Sequence, residues 1–235
     1  MTFSNINMDF RQSVAIETER QEWIPSPLEG VHRRMLEREK LESGRATSVV
    51  RYAPGSYFSP HTHTGGEEFL VLDGVFSDEH GDFGTGMYVR NPVGSSHKPH
   101  SEAGCTIFVK LWQMVPEDQE FVRTDTVNSQ RRTGLVAGHE VLALHRYGNE
   151  RVGMVTLAPE TEIAEPIGGL GQEVFVVEGA FQDEHGSYPR GSWVRLPVGT
   201  AHAPLSPTGC RLFVKVGHMN GSPDSDGPSL LSVRA

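Results

Sequence analysis

The chain has 235 residues, with 21 Lys plus Arg against 30 Asp plus Glu for a formal net charge of -9. Its long-range field therefore repels phosphate backbones and anionic lipid surfaces, and neither nucleic acid nor a membrane is expected as a partner. Two cysteines exclude a disulfide-rich scaffold and any four-thiolate zinc module, and with no secretory segment at the start they point to a reducing, cytoplasmic setting.

A content of 26 Gly and 15 Pro favours a turn-rich β architecture over a helix bundle. Residues 1–22 alternate polar and apolar side chains and read as an N-terminal arm. Val31–Glu42, rich in Arg, Glu and Leu, has helix propensity on its own. Its counterpart near Glu140–Tyr147 is Leu/Val/Ala-rich, and the comparison tips both towards strands. Phe69–Leu72, Met87–Arg90 and Thr106–Leu111 follow as short strands between Gly/Pro turns, and Val174–Val177, Trp193–Leu196 and Arg211–Val216 repeat the pattern. Pro116–Arg132, charged and without a clear period, reads as a connector. The polar, Pro/Gly-rich run that begins at Asn220 makes 220–235 a flexible tail. No apolar run reaches membrane-spanning length.

The second half copies the first. Asp78-Glu79-His80-Gly81 returns as Asp183-Glu184-His185-Gly186, an offset of 105 that holds without a gap from Arg51–Lys110 to Thr156–Lys215, with 25 of 60 positions identical. A duplicated unit of about a hundred residues follows, within the usual size of a domain. The expected division is an arm (1–22), a metal-binding unit (23–115), a connector (116–132), a second unit without metal (133–219) and the tail (220–235).

The chemistry concentrates in Gly55-x5-His61-x-His63-x3-Glu67-x6-Gly74 and Gly86-x5-Pro92-x-Gly94-x2-His97. His61 and His63, two apart on an extended segment, share one face of the sheet. Gly65-Gly66 permits a reversal that could set Glu67 across the hairpin, and the Pro-x-Gly turn could return His97 to the same face. Three imidazoles and one carboxylate suit Zn, Fe, Mn, Ni or Cu and suit Ca or Mg poorly. One divalent transition metal per chain is expected, zinc first, with iron, manganese or nickel as alternatives.

These two spaced motifs match those of the cupin superfamily. The wider wording resembles the C-terminal cupin of the ChrR anti-sigma factors: Arg51-Tyr52-Ala53-Pro54-Gly55, Glu67–Leu72, Phe76–Asp82 and Gly104–Lys110. The resemblance covers about Trp23–Met114 and, less fully, Thr133–Met219. It implies an all-β bicupin of two tandem double-stranded β-helix (jelly-roll) barrels, with a zinc or similar ion on His61, His63, Glu67 and His97. Related metal cupins include oxygenases that cleave carbon–carbon bonds of dicarbonyl and hydroxy-ketone substrates. One departure matters. The 22 residues before the first barrel contain no Cys, so the His/Cys zinc site of the sigma-binding helical domain is missing, and direct sigma-factor binding is not expected.

The copy serves as an internal control. His61, His63 and Glu67 correspond to Pro166, Gly168 and Gln172, while His97 corresponds to His202. A single imidazole cannot hold an ion, unless Glu165, Glu173 or His185 regroup around His202, which the spacing gives no reason to expect. Paired residues read as scaffold: His80 and His185 as turn histidines, Cys105 and Cys210 as small buried hydrophobes, and Lys110 and Lys215 as scaffold without a further role. Glu68, paired with Glu173, and unpaired His100 are the nearest candidates for a proton-transfer or orienting group. Tyr57, Phe58, Phe69 and Trp112 are candidates for core or pocket lining. The expected function is a metal-binding regulatory or stress-sensing bicupin that could take a small-molecule ligand at the metal. The alternatives are a dioxygenase-like enzyme acting on diketones or hydroxy-ketones, and a structural bicupin stapled by its metal. A homo-oligomer is left open.

Overall fold

The computed structural model describes residues 5–219 and 227–234. Its described part is nearly all β, with no α-helix and a single 3-10 turn at Thr18–Arg20. The described residues divide into two units, one of residues 5–8 and 21–128, the other of residues 9–20, 129–219 and 227–234.

The main strands are β1 Val14–Glu17, β2 Val31–Arg38, β3 Ala46–Tyr52, β4 Glu67–Asp78, β5 Met87–Asn91, β6 Cys105–Leu111 and β7 Val122–Asp125. The second half adds β8 His139–Tyr147, β9 Glu150–Leu157, β10 Ile167–Asp183, β11 Ser192–His202 and β12 Cys210–Val216. In the first unit the antiparallel order is β7-β5-β4-β6-β3-β2, and in the second it is β1-β11-β10-β12-β9-β8. The two units therefore repeat one antiparallel strand order in tandem. The stretch with helix propensity at Val31 is strand, because Val31, Arg33 and Arg38 bury their side chains while β3 supplies the ladder partners.

Two backbone irregularities matter. In β2, Met35 faces Ser48 and Glu37 faces Thr47, so Leu36 is an extra residue. Such a bulge reverses the alternation of faces beyond it. Gly74 and Gly179 sit at matching bends in β4 and β10 with φ of 75° and 69°, and a Cβ there would meet the carbonyl oxygens of Gly104 at 2.2 Å and Gly209 at 2.0 Å. Only glycine fits.

Each unit has its own apolar core. Phe69, Val71, Phe76, Phe83, Val89, Ile107 and Val109 centre the first, and Val155, Leu157, Val174, Val176, Leu196, Leu212 and Val214 centre the second. Three boundary segments differ from the sequence expectation. The arm is not separate: β1 joins the second unit by pairing with β11, since the arm's alternating residues make an edge strand. The connector contains β7, which pairs with β5, and its Asp118 is buried against Arg90. Of the expected flexible tail, residues 220–226 and 235 lie outside the described residues. The rest packs: Leu230 is wholly buried in the second core, Pro228 accepts from the Gly168 amide, and Val233 bridges to Gly134. Apolar Leu230 and Leu231 drive this, a signal that the polar run before them obscures.

Candidate metal centre

His61 and His97 are register partners in a two-stranded ladder of His61–Thr62 with Ser96–His97. The His63 amide donates to Ser95 O at 2.8 Å, and the Gly94 amide returns a bond to His63 O at 2.9 Å. The Pro-x-Gly turn thereby locks to the two-histidine strand. Gly66, at φ 73°, makes the reversal that leads into β4 and Glu67.

The result is a cluster in which His61, His63 and His97 each offer a ring nitrogen, all within 4.8 Å of one another. Ring centroids are 5.0 Å apart for His61 and His63, 4.9 Å for His61 and His97, and 4.6 Å for His63 and His97. Glu67 stands beside this group rather than within it, with Oε2 at 3.5 Å from His63 Nε2 and 3.6 Å from His97 Nε2. Asn91 Nδ2 donates to the same oxygen at 3.2 Å, and Arg123 holds Asn91 by its Oδ1 at 2.6 Å.

Tautomers follow from these bonds. Asp78 Oδ2 accepts from His97 Nδ1 at 3.0 Å, and Ser59 O accepts from His61 Nδ1 at 3.1 Å, so both rings turn Nε2 inward. The buried Nε2 atoms of His63 and His97 have no hydrogen-bond partner. An orphaned polar atom in a packed interior is costly, and two of them facing one carboxylate suit a shared occupant. A divalent cation fits this donor set. Burial holds the His63 pKa below its usual value, which favours the neutral, donating ring. His97 is also penalised by burial, but the Asp78 hydrogen bond and the Glu67 charge outweigh that and carry its pKa above the usual value. Asp78 is lowered on balance: the bonds from His97 and from the His80 amide overcome its desolvation. Asp78 escapes detection in the sequence because it opens a repeated acidic turn that reads as scaffold.

The cluster forms part of the wall of a cavity of about 420 Å³ in the first unit, which Phe58, Phe76, Trp112, Arg33 and Arg38 also line. Phe58 and Trp112 thus line it, whereas Tyr57 is exposed and stacks on His100, and Phe69 belongs to the core. The two proton-transfer candidates lie elsewhere. His100 is not among the lining residues, and Glu68 is buried against Tyr88 Oη at 2.7 Å and Arg90. Adjacent strand residues point to opposite faces, so Glu68 turns away from the cavity when Glu67 turns towards it. His80 and His185 are exposed. Burial pushes the Cys105 thiol up to about 11, which keeps it protonated and unreactive.

In the second unit Gln172 stands in place of Glu67, and its amide donates to His202 Nε2 at 2.5 Å while Asp183 accepts from Nδ1 at 2.8 Å. The ring with an empty lone pair in the first unit is fully satisfied here. Glu173 lies near His218 at 3.3 Å, and no second group of three potential ligands occurs among the described residues.

A model of the ChrR cupin-like domain matches residues 11–115 and again 118–220. The structure is similar to a candidate dioxygenase from Nostoc punctiforme, with 16% identity over 88% of this chain and 82% of that one and a TM-score of 0.74. It is also similar to a candidate glyoxylate-induced protein from Pseudomonas aeruginosa (12% identity, 92% and 90% covered, TM-score 0.71). A bacterial pirin from Escherichia coli in complex with nickel(II) aligns at 10% identity over 87% and 98%, with a TM-score of 0.65. No curated protein sequence matches the chain. None of the described helical residues forms a helix long and apolar enough to cross a membrane.

Proposed function

The chain belongs to the ChrR cupin-like family, matched over both repeats, and on that premise we propose that its first unit binds one divalent transition metal and uses it on a small molecule. The observation that carries this reading is the pair of buried, unpartnered Nε2 atoms of His63 and His97 at the wall of a cavity. His61, His63 and His97 would hold the ion, with Glu67 as fourth ligand after a small side-chain adjustment. Asp78 keeps His97 in the donating tautomer, and Asn91 with Arg123 fixes the carboxylate of Glu67. Hydrogen bonds of this kind to the outer atoms of a ligand raise its basicity and orient the rings.

Bound there, such an ion supplies Lewis acidity or redox chemistry to an oxygen-bearing substrate. Four protein ligands would fill the shell of a zinc ion and would leave room for substrate on iron, manganese or nickel. The cavity favours the open shell. The placement of Glu68 and His100 outside it favours a second reading, a sensory zinc site in a cytoplasmic regulator that needs no general base.

Elemental analysis of the purified chain, with oxygen uptake on a panel of diketones after iron reconstitution, separates the two. The expected result is close to one ion per chain, reduced at least about tenfold in His63→Ala, with the second unit contributing none. Oxygen uptake lost in His63→Ala supports the enzyme. Stoichiometric zinc without uptake supports the sensor, and a chain that takes up no transition metal overturns both.

A further inference from the structure

The cavity contains a second chemical element that the metal reading does not use. Arg33 and Arg38 line it together with the imidazole cluster, and both are more than nine-tenths buried, at 8% and 6% exposure. Alternation alone would not allow this. The two residues are five apart, an odd number, and on a regular strand they would face opposite sides. The extra residue Leu36 restores Arg38 to the inward face, opposite Ala46, whose small side chain leaves room before it.

The charges at this end do not balance. Arg33 forms a paired contact with Glu42, at 3.1 and 2.6 Å. Arg38 donates only to the backbone carbonyls of Lys40 and Leu41, its Nε has no partner, and no carboxylate forms an ion pair with it among the described residues. Burial depresses its pKa, and the neighbouring Arg33 adds repulsion that Glu42 only partly offsets. A buried guanidinium without a counter-ion is unfavourable unless a ligand supplies one. A carboxylate matches its planar fork of donors.

The second unit again acts as a control. The ladder registers equate Arg33 with Val141 and Arg38 with Arg146. Val141 is part of the core, Arg146 is exposed, and Leu230 from the C-terminal segment fills the same apolar cluster. The copy that lacks three of the four candidate ligands also lacks the buried arginine pair.

We propose that the cavity of the first unit takes a small organic carboxylate, its charged end held by Arg38 beside Arg33 and its other oxygen-bearing end presented to His61, His63 and His97. This rests on the metal reading only for the second contact. It narrows the substrate class from neutral dicarbonyls to keto, hydroxy or dicarboxylic acids.

The test is calorimetric titration of the metal-loaded full chain with acetoacetate, levulinate and glutarate, and with levulinamide as the uncharged counterpart of levulinate. At least one carboxylate should bind, with levulinamide at least about tenfold weaker than levulinate. Arg38→Met should abolish the preference and Arg38→Lys should keep part of it. Arg38→Met also removes bonds to the turn after β2, so the wild-type preference, which needs no variant, is the primary readout. Equal binding of levulinate and levulinamide, no carboxylate bound below about 10 mM, or a preference that survives in folded Arg38→Met would overturn the proposal. Titration of the chelator-treated chain keeps the two readings apart. If no metal is found but the Arg38-dependent preference persists, the anion site stands and the metal site falls. If metal binds with no preference, the reverse holds.

Discussion

His97 and His202 have the same place in the two repeats, each with an aspartate on Nδ1, at 3.0 Å from Asp78 and 2.8 Å from Asp183. What differs is the group before Nε2: a shared, partnerless space in one case, the amide of Gln172 in the other. The aspartate is thus a scaffold element shared by both repeats, present whether or not candidate metal ligands surround it. Its own energetics are best measured in the second unit, away from any candidate ligand set. Burial raises the Asp183 pKa, but the bonds from His202, the His185 amide and Tyr188 prevail, and its folded value lies below the ordinary carboxylate value. A depressed carboxylate contributes stability that is fully present above the unfolded pKa of about 3.9 and is lost as pH falls through the folded value. Asp183→Asn should therefore lower stability by about 1–3 kcal/mol at pH 7, and should lose less than the wild type on going to pH 3. Urea midpoints at the two pH values give the answer, and a parallel loss in both proteins would refute it.

Among the elements, the strands that carry the clustered histidines were legible because their chemistry is local. The two-residue spacing of His61 and His63, the Gly65-Gly66 reversal and the Pro-x-Gly turn before His97 each act within a few residues. The inward turn of Arg38 was not legible, because it depends on a bulge at Leu36 that is defined only by the partner strand. Nor was the fate of the chain end, where Leu230 is wholly buried and its carbonyl faces His139 Nε2 at 3.0 Å. That segment is predominantly polar in composition, and its two leucines gain meaning only when the second barrel has an interior to receive them. Leu230→Ala should destabilise the second unit by about 2–5 kcal/mol, as for other leucines in closed cores. It should leave the metal content of the first unit unchanged. Denaturant unfolding together with elemental analysis reads both, and a tail that merely lay on the surface would give no measurable shift.

At the scale of the whole chain, the repeat predicts two units in sequence, but the threading is reciprocal. β7, which precedes the second repeat, pairs with β5 in the first unit, Val122 opposite Arg90. β1, which precedes the first repeat, pairs with β11 in the second, Val14 opposite Arg195. The registers agree throughout, and even Thr126 Oγ1 on Gly86 O at 2.6 Å has its equivalent in Thr18 Oγ1 on Gly191 O at 2.7 Å. These are the same element exchanged between repeats. An exchange of this kind is invisible to sequence comparison, since strands of equivalent register fit either unit and pairing is non-local. It has a consequence for the buried arginines. Arg90 is met by Asp118, while Arg195 is met by the Asp9 carbonyl at 3.1 Å and by the Phe10 ring at 4.6 Å. A fragment of residues 129–235 would lose the Asp9 and Phe10 contacts of Arg195 and leave β11 as a bare edge, which promotes unfolding and aggregation. That fragment alone should be unfolded or aggregated at neutral pH, and a synthetic peptide of residues 9–20 should restore a cooperative unfolding transition. A Val14→Pro peptide, which removes a ladder donor, should restore less. A cooperative transition in the isolated fragment without the peptide would show that β1 contributes little to the second unit.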